Sequence, residues 1–290
     1  MTTTTLPRPF LAQGWLRALV GNHASRLVGI VIFSTIVLMC VLVPILSPYS
    51  PNDFVDMPFM APSWAHPFGT DSVGRDIFVR TFAGGSVDLV AAAFATGFVV
   101  GTTLGTLAGS TRHRWIDAIL MRVVDAVIAF PLVILLLALV VAVGSDKPWG
   151  FAPAGLPAAL IALMCVQWAV YARLARGQAL ALRNADFVVA SRVAGLNPLA
   201  IVMRHITPGV SRITLAYAIG DVVLVVVILA SLPFLGAGVQ PPAPEWGSIM
   251  YEGRGFLRNA WWITVMPGAV LALTGLSLSF IADSLLDNRR

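Results

Sequence analysis

Apolar residues in this chain gather into six long runs, separated by shorter polar stretches rich in Pro, Gly and Arg. A hydrocarbon layer about 30 Å thick is crossed by roughly 20 helical residues rising about 1.5 Å each. The runs predict spans over Leu27 to about Leu46, Leu89 to Gly109, Ile119 to Val143, Leu156 to Ala172, Ile213 to Leu235 and Ile263 to Leu285. The fold class expected is an all-α membrane protein with about six transmembrane helices over residues 27–285. A segment over 1–26 precedes the spans and a short tail over 286–290 follows them. Pro44, Pro48 and Pro51 close the first run without a small-x-small cleavage pattern, so it reads as an uncleaved anchor.

Composition agrees with this pattern. Hydrophobic residues make up 58% of the chain and charged residues 11%, against roughly 45–50% and 25% in a soluble domain. Mean hydropathy is +0.84. The net charge of +5 does not indicate a nucleic-acid partner, because the basic residues are scattered among loops with no aromatic-plus-basic cluster. Their distribution instead sets an orientation. With the N-terminus inside, fourteen arginines fall in or beside inner segments, and only Arg75, Arg80, Lys147, Arg254 and Arg258 fall outside. The positive-inside bias therefore predicts both termini in the cytoplasm.

Several residues inside the runs carry chemistry. Gly97, Gly101, Gly105 and Gly109 recur every fourth position, a stripe that lets a second helix approach closely; lining a ligand path is the other reading. Asp221 lies in mid-span and costs roughly 2.5–3.5 kcal/mol to insert, offset by roughly 0.3–0.6 per residue over the run Val222–Leu229. It should face the bundle or a wet cavity. Arg122 and Asp125, three apart, are expected to pair along one helix, with a proton or ion relay as the other reading. Cys40 and Cys165 read as inert packing residues.

Absences narrow the chemistry. The one lysine, Lys147, is followed by Pro148, so a GxxxxGK[ST] phosphate cradle is impossible. No GxSxG, HExxH or CxxC motif occurs, and no metal site is predicted from the dispersed His23, His66, His113 and His205. The chain reads as a non-enzyme. A stand-alone secondary transporter is a rival reading, but it calls for two related halves, and no internal repeat is visible. A membrane-embedded enzyme would need a convergent catalytic set.

The connector from about 173 to 212 carries the densest signals. Arg176 to Leu182 favours helix, and Asn184-Ala185-Asp186 is a break expected to cap a helix with the apolar face Phe187, Val188, Ala190, Val193 and Ala194. Gly195 ends it, Asn197-Pro198 starts another, and Ile201, Val202 and Ile206 follow before Pro208. Small residues at Ala190, Ser191, Ala194 and Gly195 suit a gripping partner; an interfacial helix against lipid headgroups suits them equally.

The stretch Asp186-Phe187-Val188-Val189-Ala190-Ser191-Arg192-Val193-Ala194-Gly195, with Arg204-His205-Ile206-Thr207-Pro208, resembles the EAA loop of bacterial ABC importer permeases. Two further stretches, His66-Pro67-Phe68-Gly69-Thr70-Asp71-Ser72-Val73-Gly74-Arg75-Asp76 and Phe234 through Gln240, Pro241, Pro242, Glu245, Trp246 and Gly247, are similar to outer loops of the dipeptide/oligopeptide/nickel branch, most of all its C-type peptide permeases. The resemblance implies a type I importer fold and a multi-pass protein of the bacterial inner membrane. It implies a second permease chain, two ATPase subunits that bind ATP and Mg, and an extracytoplasmic binding protein at the rim formed by Gly69 to Asp76 and Gln240 to Trp246. A coupling role falls on Asp186, Ala190, Ser191, Arg192, Gly195, Asn197, Arg204, His205 and Pro208. Taken alone, Thr70, Asp71, Arg75 and Asp76 read either as a metal or substrate site or as a folded rim with turns at Gly69 and Gly74 and Arg75 on a carboxylate. The sequence departs from the family at Val189, Ser191, Gly209, Leu229 and Pro233. Peptides are the expected cargo, with nickel chelates or another small solute as alternatives.

Overall fold

The computed structural model describes residues 24–95, 97–111, 113–144 and 152–287. The expectations for the segment 1–23, for Arg112, for Lys147 and for the residues 288–290 lie outside them. Eleven α-helices occur among the described residues: α1 (Ala24–Leu46), α2 (Ile77–Ala95), α3 (Phe98–Ser110), α4 (Arg114–Ala129), α5 (Leu132–Val143), α6 (Leu156–Leu182), α7 (Asp186–Val193), α8 (Pro198–Ile201), α9 (Thr207–Ser231), α10 (Trp246–Gly253) and α11 (Trp262–Asp287). Five helical stretches are long and apolar enough to cross a membrane, and a sixth is the bent pair α4–α5. In hydrocarbon each backbone amide needs a partner within its own segment, which is why the spans are helical.

Four of the expected spans differ, three in a boundary and one by a bend. The second span starts at Ile77 rather than Leu89 and breaks near Gly97, whose φ of +62° precedes α3. Arg80, Asp88 and the pair Gly84-Gly85 dilute hydropathy there, yet both charged side chains are buried inside the protein. The third span is not one straight helix, since α4 and α5 meet at 96°. Pro131 has no amide proton and pushes Phe130 to extended backbone, φ −79° and ψ 140°. The fourth helix does not stop at Ala172 but runs on to Leu182. The fifth span begins at Thr207 rather than Ile213, and a π-turn over Val202–Ile206 joins it to α8.

The tightest pairing sets α3 along α6. A Cβ on Gly101 would lie 2.2 Å from the Trp168 carbonyl oxygen, one on Gly105 2.2 Å from that of Ala172, and one on Gly109 2.7 Å from that of Arg176. With Gly97, whose Cβ would lie 2.6 Å from the Trp168 nitrogen, the whole glycine stripe faces α6. The central core gathers Leu136, Leu163, Val225, Leu232 and Trp246. α1 packs against α11 and α2 and leaves Leu27, Val31, Leu38, Ile45 and Leu46 exposed, as a lipid-facing helix does. Cys40 is buried, whereas Cys165 is exposed and is not the packing residue expected.

Candidate functional site

Functional residues collect at the two ends of the bundle. At one end, α7, α8 and the π-turn form a compact connector against the end of α6. Val188, Ile201, Ile206 and Val210 bury themselves with Ala175 and Ala179 in a separate small core. Gly195, at φ +80°, turns the chain out of α7, where an L side chain would be strained. Asn197 Oδ1 then accepts from the Leu199 amide at 3.0 Å and starts α8. The expected side-chain cap on α7 is absent: Ala185 occupies the cap position, and no side chain accepts from the helix start. Arg192 Nη2 donates to the Arg183 carbonyl at 3.1 Å and Ser191 Oγ to that of Phe187 at 2.7 Å. Thr207 Oγ1 donates to Val202 O at 2.9 Å, and Pro208 sits in the first turn of α9.

Of the apolar face expected on α7, only Val188 points into the protein. Phe187 is 47% exposed and Val193 84%, and Ala190, Ala194, Arg204 and Pro208 are open as well. The connector therefore has a buried root and a bare, small-residue outer surface.

The end of α6 also changes one pairing read from sequence and adds another. Asp125 accepts from Arg173 of α6, not from Arg122 on its own helix. Asp117 accepts from Arg176 Nε and from Arg176 Nη2, the latter at 2.6 Å. Farther along, Asp221 is buried, and its Oδ2 accepts from Tyr171 Oη at 2.8 Å and Gln167 Nε2 at 3.1 Å. It faces the bundle.

At the opposite end a rim is folded from three stretches of chain. Gly69 and Gly74 hold positive φ, and a Cβ on Gly74 would lie 2.1 Å from the Asp56 carbonyl oxygen. Thr70 and Asp76 form an antiparallel bridge. His66 Nδ1 lies 2.6 Å from Asp76 Oδ2. Arg75 donates from Nε to Asp71 at 2.5 Å and from Nη2 to Glu252 at 2.6 Å, which ties the first stretch to α10. Arg80, fully buried, donates from Nη1 to the carbonyls of Pro51 and Pro242.

Gln240 is half-buried, its amide donating to Ala154 O at 3.0 Å, while Pro241 and Pro242 are exposed. Glu245 and Trp246 are interior. Glu245 caps α10 by accepting from the Gly247 and Ser248 amides at 2.8 and 2.7 Å, although burial pushes its carboxyl above the usual glutamate range. The Trp246 amide donates to Asp88 Oδ2 at 3.0 Å. The accessible part of the rim mixes apolar Phe54, Met57, Trp64 and Trp261 with polar Asn52, Asp53, Asp56 and Arg254. The periodic Gly-x-Asp pattern of the first stretch marked the turns but not this surface, because isolated aromatics between turns carry no period.

A bundle of apolar spans, sealed by a folded rim at one end and carrying a rooted, bare connector at the other, is a membrane permease subunit. Residues 101–289 match the family described as the binding-protein-dependent transport system inner membrane component, and the chain belongs to that family. A relative from Brucella suis biovar 1 that carries the name peptide permease protein is 37% identical over 273 residues, covering 92% of this chain and 86% of the relative. A protein of Brucella abortus biovar 1 named as a peptide transport system permease is 36% identical over 272 residues, 92% and 87% of the two chains. The glutathione transport system permease protein GsiD of Pectobacterium atrosepticum is 36% identical over 247 residues, 83% and 78%. The chain is thus a multi-pass inner-membrane subunit of an ABC importer, in a family of permeases that work with an ATPase and a substrate-binding protein.

Proposed function

We propose that this chain forms half of a peptide translocation path and takes its motion from ATPase subunits pressed against the connector. The single observation that carries this reading is the exposed apolar surface of α7, Val193 above all, on a root of buried Val188, Ile201 and Ile206. An exposed apolar patch on a fixed base marks a partner surface. The peptide cargo follows the names of the relatives; nickel chelates fit the same branch. The chain itself is non-catalytic and needs no cofactor, because ATP and Mg belong to the partner subunits.

The assembly inferred is a second permease chain, two ATPase subunits and an extracytoplasmic binding protein seated on the rim. Both termini and the connector face the cytoplasm, supported by the arginine excess on that side. The coupling contacts fall to Asp186, Ala190, Ser191, Arg192 and Gly195, with Asn197, Arg204, His205 and Pro208 shaping the scaffold beneath. Transport then proceeds by alternating access. ATP binding draws the ATPase subunits together, and the connectors carry that movement into the bundles.

Val193→Glu tests the reading, because a residue already in solvent tolerates a charge without unfolding. The variant should reach the membrane at wild-type level, lose the co-purifying ATPase subunit and stop peptide-stimulated uptake. Full ATPase association with full uptake would remove the connector from the mechanism.

A further inference from the structure

Beside the connector, between the turn joining α3 to α4 and the corner after α6, lies a cavity of about 950 Å³. Arg114, Arg176, Arg183 and Arg192 line it against one carboxylate, Asp117. That carboxylate is already held by Arg176. The lining therefore carries three more guanidinium groups than carboxylates. Arg183 donates to the Gly109 carbonyl at 3.3 Å and Arg192 to that of Arg183 at 3.1 Å. Those bonds to neutral carbonyls position the charges without neutralising them. The start of α4 borders the cavity through His113 and Arg114, and no side chain caps it, so the positive end of a 16-residue helix adds to the field.

The same cavity has an apolar wall as well, with Leu107, Leu180, Leu196 and Ile201 in its lining. A free inorganic anion has no use for such a wall; an amphiphile does. Depth points the same way. With 27 residues, α6 is about 40 Å long, roughly 10 Å more than the hydrocarbon layer. Its arginines, Arg173 and Arg176, place the surplus at the connector end. The cavity therefore sits at headgroup level, and Trp115 beside Arg114 is 63% exposed there, in the manner of interfacial tryptophans. Ala190, Val193 and Ala194 do not line the cavity, so it meets the surface assigned to the ATPase only through Arg192.

We infer that this cavity binds the phosphodiester headgroup of an anionic phospholipid of the inner leaflet. The phosphate sits on Arg114, Arg183 and Arg192, and an acyl chain follows the Leu107–Ile201 wall. This rests on the orientation proposed above, which puts the arginine-rich end at the leaflet where anionic headgroups attract basic residues. A lipid held there joins the start of α4 to the root of α7, and so braces the connector.

The test is native mass spectrometry of the assembled transporter, taken from nanodiscs of phosphatidylcholine alone or mixed with phosphatidylglycerol. The wild type should retain phosphatidylglycerol, one per copy of this chain, in preference to phosphatidylcholine. Arg114→Gln with Arg183→Gln should lower that preference by roughly tenfold or more, the scale two arginines provide at an anionic surface. Should the pair fail to assemble, Arg114→Gln alone, at an exposed position, gives a smaller loss of the same sign, and an unchanged preference overturns the site.

Equal retention of both lipids also overturns it. Displacement of the lipid by excess inorganic phosphate would make this a soluble-phosphate site and end the lipid assignment. Loss of the ATPase subunit with lipid preference intact would reassign the cavity to the subunit interface. A wild-type chain that brings no ATPase fails the importer reading at the purification step, before any lipid is measured.

Discussion

Asp221 shows how a single buried charge is reconciled with an apolar bundle. Its Oδ2 takes two donors, Tyr171 Oη and Gln167 Nε2, so the structure gives it a holding role between α6 and α9. Asp221→Asn keeps an acceptor for both donors and should leave uptake and thermal midpoint close to wild type. Asp221→Leu strands two buried donors at about 1–3 kcal/mol each, and should lower the midpoint measured in detergent by several degrees. Sequence alone placed Asp221 toward the interior, because a lone aspartate among valines has nowhere else to go. Its partners, about one turn apart on another helix, were not legible. Asp125 teaches the converse: a nearby Arg122 satisfied the local spacing, but α6 brings Arg173 within reach.

Between elements, the most extensive seam among the described residues is α3 on α6, and its geometry is set by what the glycines lack. Gly105→Leu drives a side chain into the backbone of Ala172 and should cost about 1–3 kcal/mol or more through overpacking. Gly177→Leu, where a Cβ meets nothing within 4 Å, should be neutral or mildly stabilising because leucine is the better helix former. Parallel thermal unfolding of the two variants checks this. A result in which both behave alike would deny the seam. The glycine period was readable along the chain; the breaks on either side were not. Hydropathy sums over a window, so it passes through Gly97 and Pro131 without registering that the backbone turns. It also ends a span at the first arginine, which truncated α6 at Ala172, because a sum cannot know that Arg173 and Arg176 meet aspartates on α4.

Across the whole molecule, the rim fastens separate stretches of chain through two arginines and two acids. Arg80 is fully buried, with Nε 3.9 Å from Asp71 and Nη2 3.6 Å from Glu252. Glu252→Ala removes one of the two acids both arginines share and should cost about 2–3 kcal/mol, at the lower end for a buried pair because that carboxylate retains some solvent. Proteolysis of intact spheroplasts should then cut within 50–75 faster than in wild type, while α7 keeps its ATPase. Cutting at an unchanged rate would show that the rim holds without this network. The turns at Gly69 and Gly74 were visible in the sequence. The bond from Arg75 to Glu252 was not, since it spans 177 residues.

One helix touches both ends. α6 leaves the rim where the Gln240 amide binds Ala154 O and a Cβ on Gly155 would lie 1.7 Å from the Gly238 carbonyl oxygen; it reaches the connector at Leu182. A straight rod about 40 Å long that tilts by roughly 10° about one end displaces the other by about 7 Å. With the pivot near the connector, a small rotation there thus becomes a swing larger than a peptide side chain at the rim, with no hinge required in between.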